Sequence, residues 1–206
     1  MVLQLVLVVN GAATLLPESA PPLATRLGRF VCYFTVLSNV LVVVVEARCA
    51  RGLPDSRAWR VVRLDALVGI AVTGLVHFVL LRPLLDLHGA SYVADRLLHV
   101  VVPVLTVALW LVLGPRRMAG RSDVGWSLAF PGLWLLGTLA HGAVTGWYPY
   151  PFVDVGRHGW GSVLLASLGI AVLFAALGWA AVLADPRLPV RRGASGTTPR
   201  RPTGRT

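Results

Sequence analysis

The sequence predicts an all-α polytopic membrane protein, a bundle of six transmembrane helices with both termini in the cytoplasm. Three observations predict it. Of the 206 residues, 56% are hydrophobic, the mean hydropathy is +0.72, and the apolar residues gather in long runs separated by short polar stretches. One soluble core cannot absorb that much apolar surface. The formal charge of +10 would suggest nucleic acid in a soluble domain, but all 19 basic residues are Arg and most fall between the apolar runs. They are read as topology signals, and no nucleic-acid partner is expected. Cys32 and Cys49 have no metal-type or redox-type spacing, and no disulfide framework is implied.

The first apolar run, Met1 to Leu16, is broken only by Gln4, Asn10, Gly11 and Thr14. As a helix it would reach roughly 24 Å, short for a span. Gly11-Ala12-Ala13 resembles a signal-peptidase step, but the basic region that should precede it is missing, so a short or truncated first helix is favoured. Pro17, Pro21 and Pro22 end that run. A second helix is expected from about Ala24 to Val45, and the charged residues from Glu46 to Arg60 mark a wet loop. A third, from about Val61 to Leu81, carries Asp65, Gly69, Thr73 and His77 at four-residue steps, a stripe suited to close helix packing. The fourth, Tyr92 to Leu113, holds Asp95, His99 and Pro103. Pro103 cannot donate to the His99 carbonyl, so a kink and a free acceptor are expected there.

Gly114 to Gly125 is expected to be a basic loop, followed by a fifth helix from Trp126 to Thr145 with Thr138 and His141 near its far end. Next comes the most distinctive loop, Trp147-Tyr148-Pro149-Tyr150-Pro151-Phe152-Val153-Asp154, in which two X-Pro steps hold aromatic rings on a stiff, extended backbone. A sixth helix is expected from about Gly161 to Ala184. These elements form one membrane domain, residues 1 to 184. From Asp185 to Thr206 the composition turns to Pro, Gly, Ser, Thr and Arg, and a disordered Arg-rich cytoplasmic tail is expected.

Fourteen Arg fall in the second-to-third connection with the start of the third helix, the fourth-to-fifth connection and the tail, against five (Arg26, Arg29, Arg82, Arg96 and Arg157) on the opposite side. The positive-inside rule then sets both termini in the cytoplasm, in a chain expected in the bacterial cytoplasmic membrane. Trp59 and Trp126 come out near the inner interface, Trp147 and Trp160 near the outer one.

Within the second helix, Thr35, Ser38 and Asn39 stand at i, i+3 and i+4 and share one face. Polar groups unpaired in hydrocarbon cost several kcal/mol, so this face should meet other helices or a wet cavity. Thr35, His77, His99 and His141 all fall in the outer halves of their helices, which suggests one outward-facing polar chamber. Singly, each has a plain structural reading, since a helical Thr bonds its own preceding turn and a membrane His satisfies a neighbour. Their shared depth is what points to a site.

Phe34-Thr35 followed by Ser38-Asn39, then His99 with Pro103, then Trp147 to Phe152 with Asp154, resembles the bacterial Pr-six-Pr membrane-protein family over about residues 1 to 184. That family is related to the eukaryotic androgen-induced and androgen-dependent TFPI-regulating membrane proteins. The resemblance implies hydrolysis of fatty acid esters of hydroxy fatty acids by a membrane-embedded Thr and a His, here Thr35 and His99 by motif position. It implies no role for the aromatic-proline loop.

A Thr hydroxyl becomes a competent nucleophile when a base removes its proton, and His is suited to that task. Asp95, one turn before His99, can orient the imidazole or be a solvated residue at the helix end. Ser38 and Asn39 can donate to an oxyanion or be packing residues. The expected partners are membrane lipids, with a lipid ester as substrate and no cofactor. A lipid-binding or transport protein would use the same chamber without covalent chemistry. A metal or haem site built from His77, His99 and His141 ranks third, because no His pair lies at i, i+4 and no Cys or carboxylate is expected at their depth.

Overall fold

The computed structural model describes residues 1–11, 21–52, 56–114, 116 and 119–188. Among these the chain is all-helical, with no strand. The helices are α1 (Val2–Val9), α2 (Leu23–Cys32), α3 (Phe34–Ala50), α4 (Arg57–Leu84), α5 (Gly89–Leu113), α6 (Arg121–Thr145) and α7 (Val155–Arg187). Four of them, α4 to α7, are long and apolar enough to cross a membrane, and α2 with α3 passes the same test as a fifth, broken span. The sixth expected span falls on α1, where the helix is described only over Val2–Val9. Residues 12–20, with Ala12 and Ala13 of the Gly11-Ala12-Ala13 step and Pro17, lie outside the described residues, as does the tail from residue 189.

The central helix is α4. More than half of its apolar window is buried, against under a fifth for α5, α6 and α7, and it packs on α3, α5, α7 and the first turns of α6. Two small residues permit this. A Cβ on Gly69 would lie 3.4 Å from the Phe130 ring and 3.7 Å from Ser38, and one on Gly74 would lie 3.1 Å from Pro103. Small residues let backbones approach where lipid removes the hydrophobic drive between helices.

Several boundaries differ from the sequence reading. The expected second helix is not continuous: it breaks at Tyr33, whose φ and ψ of −72° and 127° are extended, and α2 and α3 meet at 70°. No Gly or Pro stands there. Long-range side chains hold the break open. The Cys32 carbonyl, orphaned by the bend, accepts from Trp134 Nε1 at 2.8 Å, and the Thr35 N–H donates to the Tyr150 hydroxyl at 3.2 Å.

The Gly114 to Gly125 segment is not all loop, because α6 already begins at Arg121. Asp123 in its first turn accepts from the Gly120 N–H at 2.8 Å and takes Arg57 and Arg60 at 3.6 and 3.7 Å. The last helix starts at Val155 rather than Gly161, with Gly159 in the left-handed region at φ 71°. It also continues past Ala184 through a 3-10 turn, Asp185–Arg187, in which Asp185 is buried.

Two of the proline-containing spans, α4 and α5, widen just before the ring. A π-helical turn occupies His77–Leu81 ahead of Pro83, and a second occupies Leu97–Val101 ahead of Pro103. Proline lacks the N–H that would close the preceding turn and its ring crowds that turn, so the helix accommodates it by local widening. The two turns carry His77 and His99, and the imidazoles stack at 3.9 Å between centroids and 11° between planes.

Candidate functional site

Thr35 stands in the first turn of α3, immediately after the break, and is buried. This end of a helix carries the positive end of the macrodipole, so it favours negative charge. Thr35 Oγ1 lies 3.1 Å from Nε2 of His99 on α5. On the other side of that ring, His99 Nδ1 lies 3.0 Å from Asp95 Oδ1 and 3.1 Å from the Asp95 carbonyl oxygen. Two acceptors around Nδ1 assign the proton to that nitrogen. Nε2 therefore presents its lone pair to the Thr35 hydroxyl, which donates to it. Asp95, buried on α5, thus orients the imidazole and is not a solvated helix-end residue.

A fourth group completes the site. The Tyr150 hydroxyl accepts from the Thr35 N–H and lies 3.2 Å from Thr35 Oγ1. With the Thr35 proton directed at His99, the phenol hydrogen is directed at Oγ1. Burial pushes the Tyr150 phenol up to about 12, with the bonds from Thr35 opposing it only in part. It is therefore a neutral donor across the ordinary pH range. Sequence reasoning left Tyr150 within a loop motif without a role, and the only signal was the density of aromatic residues between prolines.

That loop is anchored residue by residue. The Trp147 ring meets Tyr33 and His141 edge-on at 5.9 and 6.0 Å, with the Arg29 guanidinium 5.0 Å over it. Tyr148 lies against Gly142, where a Cβ would come within 2.0 Å of its ring. After Pro149, Tyr150 turns inward with Phe152 stacked on it at 5.2 Å. Pro151 opens a 3-10 turn, and Asp154 caps α7 by accepting from the Arg157 N–H at 3.1 Å.

Ser38 and Asn39 brace the Thr35 backbone. Ser38 Oγ donates to the Thr35 carbonyl at 3.2 Å and pairs with Thr73 Oγ1 at 2.9 Å. Asn39 Nδ2 donates to the same carbonyl at 2.8 Å and to that of Leu98 at 3.5 Å. Their donors are directed at backbone carbonyls and at Thr73, the packing arrangement that is one of the two readings of these residues. Of the four residues expected in one chamber, Thr35, His77 and His99 come together and His141 does not. It is half-buried against Trp147, and Thr138 is buried nearby on the same helix. The expectation that no carboxylate reaches the histidines is also corrected, because Asp95 touches both stacked imidazoles from one side. His77 Nε2 lies 3.3 Å from Asp95 Oδ2 without hydrogen-bond alignment, and its Nδ1 has no hydrogen-bond partner among the described residues.

Thr35 and Tyr150 also line a cavity of about 910 Å³, open mouth included, that runs between α4, α6 and α7. Its walls are almost wholly apolar, among them Phe34, Val72, Leu81, Leu135, Ile170 and Phe174. The helical segments 129–145 and 155–184 do not pack closely on each other, and Leu133, Leu136, Leu164, Leu165 and Leu168 are exposed on these segments. His99 is absent from the lining, so Thr35 stands between the cavity and His99. Searches of protein-family models, curated proteins and solved structures find no match to the chain.

Proposed function

We propose that the protein is a multi-pass membrane hydrolase of lipid esters, with Thr35 as nucleophile, His99 as general base, Asp95 as the group that orients His99, and Tyr150 as oxyanion donor. The observation that carries this reading is the unbroken line of contacts Asp95–His99–Thr35, 3.0 and 3.1 Å long, ending at the wall of an apolar cavity. Such a nucleophile, base and orienting group recur on unrelated folds and are recognised by geometry. The resemblance to the Pr-six-Pr family points to the same pair.

In this mechanism the acyl chain occupies the cavity and sets its carbonyl carbon against Thr35 Oγ1. Oγ1 attacks that carbon while the Thr35 proton passes to His99 Nε2. The carbonyl oxygen becomes an oxyanion, which accepts from Tyr150 and is favoured by the α3 N-terminus. Collapse expels the alkoxide, which takes the proton from His99 and leaves as an alcohol, with the acyl group on Thr35. Water then attacks the acyl-threonine, His99 receives the water's proton and returns it to Thr35, and a fatty acid departs. The membrane orientation that accompanies this reading has six spans and both termini cytoplasmic, with the site in the outer half.

The test is covalent labelling by a fluorophosphonate in detergent-solubilised, monodisperse protein. The adduct should map to Thr35, persist in part in Thr35→Ser, and fall to background in Thr35→Val and His99→Ala, because either loss disables the unit. Labelling of Thr35→Val at the wild-type rate would remove Thr35 as nucleophile. The apolar lining would then favour the second reading, lipid binding or transport without covalent chemistry.

A further inference from the structure

Beyond the line from Asp95 to Thr35, one residue of the site has no task. His77 is 2% exposed, in the widened turn of α4, and neither ring nitrogen has an aligned hydrogen-bond partner among the described residues. Burying an imidazole without an aligned partner costs free energy. His77, Asp95 and His99 nevertheless offer ligand atoms that all lie within 4.8 Å of one another.

We propose that His77, Asp95 and His99 bind a divalent transition-metal ion, best matched by Zn²⁺, and that its binding silences the Thr35 site. The donor set is two imidazoles and one carboxylate, the combination that zinc accepts with a fourth position left to solvent. Zinc holds such ligands at about 2.0–2.2 Å, so tetrahedral neighbours lie about 3.3 Å apart. His77 Nε2 lies 3.3 Å from Asp95 Oδ2 and His99 Nδ1 lies 3.0 Å from Asp95 Oδ1, so each imidazole is near that spacing from one carboxylate oxygen. The rings are stacked within 11° of parallel, so both tilt to converge on one ion. Oxygen-selective ions such as Mg²⁺ and Ca²⁺ are disfavoured by two nitrogen ligands.

The silencing part rests on the proposed roles of Thr35 and His99. In the metal-free site His99 carries its proton on Nδ1 and turns a lone pair to Thr35. Zn²⁺ must take the Nδ1 lone pair, which moves the single imidazole proton to Nε2. His99 then donates to Thr35 Oγ1 instead of accepting from it. An imidazole in that state cannot take the threonine proton. The same three residues therefore have two exclusive states, a reactive one oriented by Asp95 and an inert one held by metal.

The test uses full-length protein in detergent, stripped with chelator and dialysed against micromolar free Zn²⁺, with bound metal counted by mass spectrometry. Wild type and His141→Ala should each retain one Zn²⁺ per chain. His77→Gln should lose at least the roughly tenfold to hundredfold in affinity that even the outer partners of metal ligands provide. Cobalt-loaded wild type should show the visible bands of a tetrahedral site, a readout that needs no variant. Fluorophosphonate labelling of wild type should slow at least about tenfold with Zn²⁺ and recover with chelator, each protein being compared with itself. Folded wild type that retains no zinc, or His77→Gln that binds it equally, overturns the site. Zinc bound by these residues without any change in labelling overturns the silencing. If metal-free wild type never labels, the hydrolase reading fails, and the metal count still decides the site.

Discussion

Tyr150 and Thr35 are bonded twice across 115 residues of chain, the phenol accepting the Thr35 N–H and lying at the same 3.2 Å from its hydroxyl oxygen. The connection between α6 and α7 thereby enters the site, and the same bond satisfies a backbone donor freed by the break at Tyr33.

Tyr150→Phe removes the hydroxyl and keeps the ring stacked on Phe152. Labelling should fall by about a hundredfold, the usual effect of deleting one oxyanion donor. Thermal stability should fall by about 1–3 kcal/mol as the Thr35 N–H is left unpaired. The variant also tests a pH dependence. The Tyr150 phenol is raised to about 12 in the folded protein, against about 10 for an ordinary tyrosine. Its stabilising contribution is complete below pH 10 and is lost as pH climbs from there towards 12, because the unfolded chain ionises first. Melting temperature between pH 9 and 12 should drop more steeply in wild type than in Tyr150→Phe, and parallel curves would contradict the burial of the phenol.

Asp95→Asn should leave the helices in place and reverse the imidazole. An amide nitrogen facing His99 Nδ1 would favour the tautomer with its proton on Nε2, pointing a donor at Thr35. The expected loss of labelling is about 10⁴-fold, as for the equivalent change in a Ser-His-Asp site. Proton chemical shifts of the His99 ring in specifically labelled protein would report the exchange of tautomers directly.

Two glycines on one helix should respond oppositely to alanine. At Gly142 a new Cβ would strike the Tyr148 ring, whereas at Gly137 it would meet nothing within 4 Å. Gly142→Ala should destabilise by about 1–3 kcal/mol and lower labelling, since Tyr150 is two residues beyond the displaced ring. Gly137→Ala should be neutral or stabilising by up to about 1 kcal/mol, because alanine is the better helix former. Melting curves of the pair make the comparison, and equal losses would show that Tyr148 does not anchor the loop.

Orientation is testable through Cys49, which is exposed near the end of α3. In a Cys32→Ala background, an impermeant maleimide should modify Cys49 only after the membrane is opened, as the distribution of Arg requires. Modification in intact cells would invert the orientation and move the site to the inner half.

The helical class, most of the long spans and the shared face of Thr35, Ser38 and Asn39 were legible in the chain, because apolar run length and four-residue spacing are local properties of a helix. His99 could be nominated as a partner for Thr35 by shared depth together with the family resemblance. Depth, however, does not specify how one helix is rotated against another, so His141, at the expected level, faces Trp147, while Asp95 faces both imidazoles. The break at Tyr33 has no local cause: it exists because Trp134 and Tyr150 satisfy the backbone groups it frees. The role of Tyr150 likewise depends on Gly142 admitting Tyr148 and so fixing the path of the loop. What the sequence determined by itself was which groups lie on one helical face and at what depth. What the tertiary structure decided was which of them meet, because helix rotation, π-helical widening and loop path are set by packing between residues far apart in the chain.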